Sequence, residues 1–224
     1  SPATAIVLGG LFVGLYTVIG GIDAVIWTDV LQTVVLLLGG LLCLWVVLEA
    51  LPGGLGQIFD QAGKAGKFAL APWEDGAPGE TSWSLSLSEK TATMMLLIGL
   101  TNWLTEYSSN QNTVQRYCAS QSTAEARKGL WVYLFTALPI WAFYMFLGTA
   151  LWVFFQAYPD PHASAILVGD ARAETLMPHF ITVSLPAGVA GLVIAAALAA
   201  AMSSLDSSIN SITTVSVVDL YRRH

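Results

Sequence analysis

The chain has 224 residues, of which 55% are hydrophobic and only 11% charged, with a mean hydropathy of +0.64. A soluble domain carries roughly twice that share of charge, so a soluble globular reading is excluded at the outset. The formal charge of −6 leaves no basic patch for nucleic acid, and most of the acid falls in two polar loops, residues 52–90 and 156–180.

Charge-free stretches cover residues 1–22, 30–48, 91–105, 129–159 and 175–205. A bilayer core needs roughly 20 apolar residues of helix, and this length recurs along the chain. The pattern predicts an all-α, polytopic membrane helical bundle in one transmembrane segment, 1–224. Its first helix is expected over 3–19, ending at Gly20-Gly21, a pair that allows a tight reversal. A second is expected over 25–49, stopped by Pro52-Gly53-Gly54, and a short helix over 55–62 inside the first polar loop. A third covers 91–118, with a polar second half. The fourth covers 125–155 with Pro139 inside it, and the fifth is opened by Pro186 and extends over 186–219.

Alternation of the helices puts loops 52–90 and 156–180 on one side, read as extracellular. Arg116, Arg127, Lys128, Arg222 and Arg223 lie on the other, against Lys64, Lys67, Lys90 and Arg172. Short basic segments beside helix ends favour the cytoplasm, which predicts a multi-pass protein of the plasma (cytoplasmic, inner) membrane. Cys43 lies in an apolar helix and Cys118 beside Arg116, so no disulfide framework is expected. The chain opens at Ser1 without a charged leader, so it reads as a piece of a longer polypeptide without a signal peptide.

Chemistry concentrates in two helices and one helix start. On the fifth helix Ser203, Ser207, Asn210, Ser211 and Thr214 follow helical spacing and share a face or its edge. Ala200, Ser203 and Ser204 stand at i, i+3 and i+4, so a backbone carbonyl and two hydroxyls can converge on one hard cation. The competing reading is that the serines bond neighbouring backbone or join helices. Asp29 and Asp206 sit at similar depth near the inner face. Acids there are paired, hydrated or functional; Arg116, Arg222 and Arg223 are the candidate partners.

The third helix reads Thr101-Asn-Trp-Leu-Thr-Glu-Tyr-Ser-Ser-Asn, polar groups that no amphipathic stripe explains. Irregular backbone at membrane depth lines a cavity or is buried in protein, and interrupted helices of this kind mark secondary transporters. Glu106 is a candidate substrate or proton ligand, or else an acid steadying helix ends. Trp103 and Tyr107 are candidates to stack on a ligand or gate it, or else to pack. No metal-ligand spacing joins His162, His179 and His224, and no phosphate loop or nucleophile triad occurs, so the expectation is a transporter and not an enzyme, without an organic cofactor.

Three segments resemble the sodium:solute symporter family, which includes the sodium/glucose cotransporters. Residues 16–32, with Gly20-Gly21-Ile-Asp-Ala-Val-Ile-Trp-Thr-Asp29-Val-Leu-Gln32, are similar to its GG-x-x-AV-x-x-TD-x-x-Q signature. Residues 110–116, Asn-Gln-Asn-Thr-Val-Gln-Arg, followed by Ala126-Arg-Lys-Gly129, are similar to its NQ-x-x-x-QR segment; residues 198–223 resemble its helix ending SS…NS…D-[ILF]-Y-[KR].

The resemblance implies an inverted five-helix-repeat transporter fold, of which this segment would supply about core helices four to eight. The rest of the same transporter chain would be its partner. It implies sodium as coupling ion, half of the main sodium site on Ala200, Ser203 and Ser204, and a second cation site at Asp29, Ser203, Asp206 and Ser207. The acid at 206 departs from the expected hydroxyl. It places the substrate pocket against a broken helix at 102–110, which makes Asn102, Trp103, Glu106, Tyr107 and Asn110 the substrate or gate candidates. The implied function is sodium-coupled symport of a small organic solute, a sugar, polyol or related compound, across the lipid bilayer by alternating access. The alternatives are a symporter-like membrane sensor domain and a proton-coupled carrier using Asp29, Asp206 or Glu106.

Overall fold

The computed structural model describes residues 2–69, 73–74, 77–86, 88–89 and 91–222; Lys90, Arg223 and His224, named above for their charge or ligand atoms, fall outside this set. The described residues are helical almost throughout. In chain order they form α1 (Pro2–Ala50), α2 (Gly54–Lys64), a two-residue antiparallel pair β1 (Trp73–Glu74) and β2 (Ala77–Pro78), α3 (Ala92–Ser109), and α4 (Gln111–Cys118). Then come α5 (Thr123–Ala157), α6 (Pro161–Leu167), a 3₁₀ turn Ala173–Thr175, α7 (Leu176–Ser184) and α8 (Ala187–Thr214). Past Thr214 the helix widens into π-type turns over Val215–Tyr221.

Within the described residues, three stretches are long and apolar enough to cross a membrane: Ile6–Ala50, Thr123–Ala157 and Ala187–Tyr221. The first, with 45 residues, rises roughly 70 Å, more than twice a bilayer core. It is two helices joined at a kink. Gly21 there takes φ 59 and ψ −153, a region essentially closed to side-chain-bearing residues, which is why the reversal uses glycine.

Two differences from the expected elements have local causes. The third helix is not one rod over 91–118. It stops at Ser109 because Asn110 is extended (φ −71, ψ 121) and its side chain accepts the Asn112 N–H at 3.0 Å, capping a new helix, α4. The second polar loop is not irregular either. Asp160 caps α6 through the N–H groups of His162 and Ala163, with Pro161 opening the helix, and α7 follows at Leu176. Polar composition had hidden both short helices.

The chain divides into two compact units. The first comprises residues 1–40, 107–136 and 191–224. Inside it, Gly39 lets α1 approach α8 closely: a Cβ at Gly39 would stand 3.0 Å from the Ala196 Cβ. Small residues at such a crossing let two membrane helices pack backbone to backbone. The second unit comprises residues 41–106 and 137–190 and holds most of the apolar core. Phe180 is fully buried and meets the rings of Phe154 and Phe155 at 5.2 and 6.3 Å, with Leu147, Leu151, Val153, Ile58 and Val47 buried as well. Tyr158 donates its hydroxyl to the Ala50 carbonyl at 2.6 Å, satisfying one orphan acceptor at the C-terminus of α1.

Candidate functional site

Helix α8 turns its polar stripe toward α1 and α4 within the first unit. Ser203 donates its hydroxyl to Asp29 Oδ1, and Arg116 donates from Nη2 to Asp29 Oδ2. The same guanidinium reaches Ser207 Oγ at 3.4 Å. One turn further on, Asn210 donates to Gln115 Oε1 at 2.7 Å, and Ser211 donates to Asn112 Oδ1. Capping by Asn110 explains this meshing: it turns the chain so that Asn112, Gln115 and Arg116, at i, i+3 and i+4 of α4, share a face against α8.

Asp29 therefore has the arginine partner anticipated for it, with its side chain 13% exposed. Among the four residues, Ser203 bonds Asp29, Arg116 bonds Asp29 and reaches Ser207, and Asp206 makes its side-chain hydrogen bonds with Tyr16 and Thr28 of α1. Asp206 is fully buried and bonds toward α1, where Tyr16 Oη donates to its Oδ2 at 2.6 Å and Thr28 Oγ1 lies 3.3 Å from the same oxygen. Tyr16 is a residue of this site that spacing on α8 does not indicate. In the sequence it opens the segment 16–32 that resembles the family signature, one turn before Gly20-Gly21.

Ala200, Ser203 and Ser204 occupy adjacent turns of α8. Ser204 Oγ is 3.4 Å from the Ala200 carbonyl oxygen, and Ser204 is exposed. Ser203 uses its one proton on Asp29, so the lone pairs of its oxygen stay available to a cation, and the bond to a carboxylate makes that oxygen a better donor of electron density. The donors these three residues offer are all oxygens, the chemistry that a hard cation takes.

The substrate candidates are arranged along α3. Asn102 and Glu106 are exposed, while Trp103 and Tyr107 are half-buried. Trp103 meets Trp141 edge-on at 6.3 Å within the second unit, and Tyr107 meets Tyr133 edge-on at 5.6 Å within the first. The helix is regular through all four positions, so the interruption expected across 102–110 is confined to Asn110, whose side-chain oxygen serves the α4 cap.

Long apolar helices interrupted at Gly21 and Asn110, with hydroxyls and acids gathered beside the interruptions, define a multi-pass membrane protein of the transporter class. The chain belongs to the sodium:solute symporter family, whose family model matches residues 1–224. It is 34% identical over 224 residues to the sodium/sialic acid symporter SiaT of Proteus mirabilis, covering 99% of this chain and 42% of that protein. Against the sodium/glucose cotransporter of Vibrio parahaemolyticus it is 31% identical over 242 residues, covering 100% of this chain and 41% of the other. The solved substrate-bound outward-open state of a Na+-coupled sialic acid symporter superposes with a TM-score of 0.84 at 31% identity, over 100% of this chain and 44% of that one. The chain thus spans about two fifths of the length of these relatives. Its architecture is that of part of an inverted-repeat transporter.

Proposed function

We propose that the protein containing this segment is a sodium-coupled symporter of a small organic solute, working by alternating access in the cytoplasmic (inner) membrane. The observation that supports it most directly is the state of Ser203: its proton is held by Asp29, Ala200 stands about one turn back along α8, and Ser204 is the next residue, each with a further oxygen. The remaining sodium ligands come, on this reading, from the part of the symporter outside residues 1–224. Asp29 and Arg116 act as the frame that orients Ser203 and not as cation ligands. Residues Asn102, Trp103, Glu106, Tyr107 and Asn110 supply the solute-facing or gating groups. Two aromatics and an acid suit a polar solute with an apolar face, and a sugar, polyol or acidic sugar derivative fits that chemistry; the named relatives carry sialic acid or glucose in their descriptions.

One sodium moving down 100 mV contributes about 2.3 kcal/mol, roughly fifty-fold in solute accumulation. The test is sodium-dependent uptake by the full-length protein with a panel of sugars, acidic sugars, polyols and carboxylates. Ser204→Ala should raise the sodium concentration for half-maximal uptake by tenfold or more, with thermal stability in sodium-free buffer unchanged. Unaltered sodium affinity in that variant would remove Ser204 from the site. Uptake that follows pH and ignores sodium would replace sodium by the proton as coupling ion.

A further inference from the structure

Helix α5 carries a surface stripe that belongs neither to the network around Asp29 nor to the substrate candidates of α3. Arg127, Lys128, Trp131, Val132, Phe135 and Thr136 recur at the three- and four-residue spacing of one helix face. They line an open groove of about 520 Å³ whose lining residues all belong to α5. Trp131, Val132 and Phe135 are 56%, 59% and 71% exposed, and the rings of Trp131 and Phe135 stack with centroids 5.9 Å apart. The Thr136 hydroxyl donates to the Val132 carbonyl at 2.7 Å, which satisfies its proton within the helix. Beyond Lys128 the groove is therefore an apolar slot edged by two aromatic rings.

The other end of the groove is charged. Arg127 and Lys128 are both exposed, and neither forms an ion pair among the described residues. Glu125, the nearest acid in sequence, is turned back on the start of α5, where its carboxylate accepts the Gln121 N–H at 3.2 Å. Two cations in the opening turns of a helix also oppose its macrodipole, so helix stability does not account for them. From Arg127 to Phe135 the helix rises about 12 Å, which carries the stripe from headgroup level into the hydrocarbon.

Whatever covers this groove has to bring negative charge to one end and apolar surface to the rest. A phospholipid carries both in one molecule, and the membrane interface is where a Trp ring and a pair of basic side chains meet its headgroup. A protein helix laid on the same face would enclose two unpaired cations unless it brought an acid with it. We propose that the groove holds one anionic phospholipid, its phosphate on Arg127 and Lys128 and an acyl chain along Trp131 and Phe135. A zwitterionic lipid fills the slot but cancels its own phosphate charge, so it leaves the two cations uncompensated. Each cation contributes about fivefold to the preference and the pair about twenty-five-fold, and salt weakens it. The site rests on the charge and exposure of α5 and is independent of the coupling ion and the solute.

The experiment places the purified full-length protein in phosphatidylcholine nanodiscs in which a minor share of the lipid has brominated acyl chains. The brominated lipid is phosphatidylglycerol in one series and phosphatidylcholine in the other. Bromine quenches an indole that it touches, and subtracting the signal of Trp131→Phe isolates Trp131 from the other tryptophans. Trp131 should be quenched by brominated phosphatidylglycerol at a mole fraction about twenty-five-fold lower than by brominated phosphatidylcholine, a preference that shrinks as choline chloride is added. Arg127→Gln combined with Lys128→Gln should bring the two lipids to equal quenching. Its unfolding temperature in pure phosphatidylcholine should match the unsubstituted protein's, since both side chains are exposed. Equal quenching by the two lipids in the unsubstituted protein overturns the proposal and makes this face ordinary lipid-exposed surface. Absence of quenching by either overturns it as well and assigns the groove to another part of the transporter chain. A preference that survives the double substitution removes Arg127 and Lys128 as the headgroup ligands and overturns it in the same way.

Discussion

Arg116 and Asp29 lie 87 positions apart in sequence, and their pairing decides what several neighbouring residues are free to do. Asp29 is the more buried partner, at 13% side-chain exposure against 39% for Arg116. Removing the arginine leaves a carboxylate at membrane depth with only the Ser203 hydroxyl, whereas removing both charges leaves a neutral hydrogen-bonding cluster. Breaking one side of a fully buried pair costs about 3–5 kcal/mol, and the exposure of Arg116 brings the expected loss to about 1–3 kcal/mol. Arg116→Gln should therefore lower thermal stability markedly, and adding Asp29→Asn should recover most of that loss. A double-mutant cycle on unfolding measures the coupling; additive effects would show that the two side chains act independently. The acids themselves were legible in the sequence, since an ionisable residue inside an apolar run is conspicuous. Their partners were not. Arg116, Arg222 and Arg223 were equally available by charge, and only the turn at Asn110 selects the first by bringing one face of α4 against α8.

At the scale of elements, small residues and caps do the selecting. Helix α1 passes α8 at Gly39, where even a methyl group would meet the Ala196 Cβ at 3.0 Å, with the Val193 Cα 3.7 Å away. Gly39→Ala needs a shift of a few tenths of an ångström, but Gly39→Leu cannot be housed without separating the helices. The leucine variant should lose about 1–3 kcal/mol or more in unfolding measurements, with the alanine variant between it and the parent.

Outside the membrane-spanning segments, Asp160 is a cap that responds to pH. The N–H of Ala163 holds its carboxyl below the usual carboxylate range, with further help from His179, whose Nε2 lies 2.8 Å from Oδ1, and from the His162 N–H. A lowered folded-state value means that the carboxylate's contribution is present above the unfolded-state value. It is lost as pH falls through the lowered one. Stability should therefore decline with acidification below the ordinary aspartate range, and Asp160→Asn, which keeps the cap but not the charge, should flatten that decline. Hydrogen exchange at Ala163 against pH reads it directly. These short elements were illegible beforehand because α6 and α7 lie inside a stretch whose polar composition reads as loop. The long apolar helices were legible because their length alone is diagnostic.

For the molecule as a whole, burial and exposure run opposite to those of a soluble protein. Leu8, Leu11, Phe12, Leu15, Val18 and Ile19 of α1 are all more than half exposed, as are Trp131, Phe135 and Trp141 of α5. A bilayer or neighbouring helices of the longer protein must cover such faces, and α5 carries Arg127 and Lys128 at its beginning, just before the apolar run. Basic residues at that end of α5 predict that it faces the cytoplasm. The two cysteines offer a direct check, because Cys118 is exposed and Cys43 is buried. A membrane-impermeant maleimide should leave Cys118 unmodified in sealed right-side-out vesicles and label it in inverted ones. Cys43 should stay unreactive in both until the protein unfolds. A Ser84→Cys reporter in the first polar loop should show the opposite sidedness. Labelling of Cys118 from outside would invert the orientation and, with it, the assignment of Asp29 and Asp206 to the inner half of the bilayer.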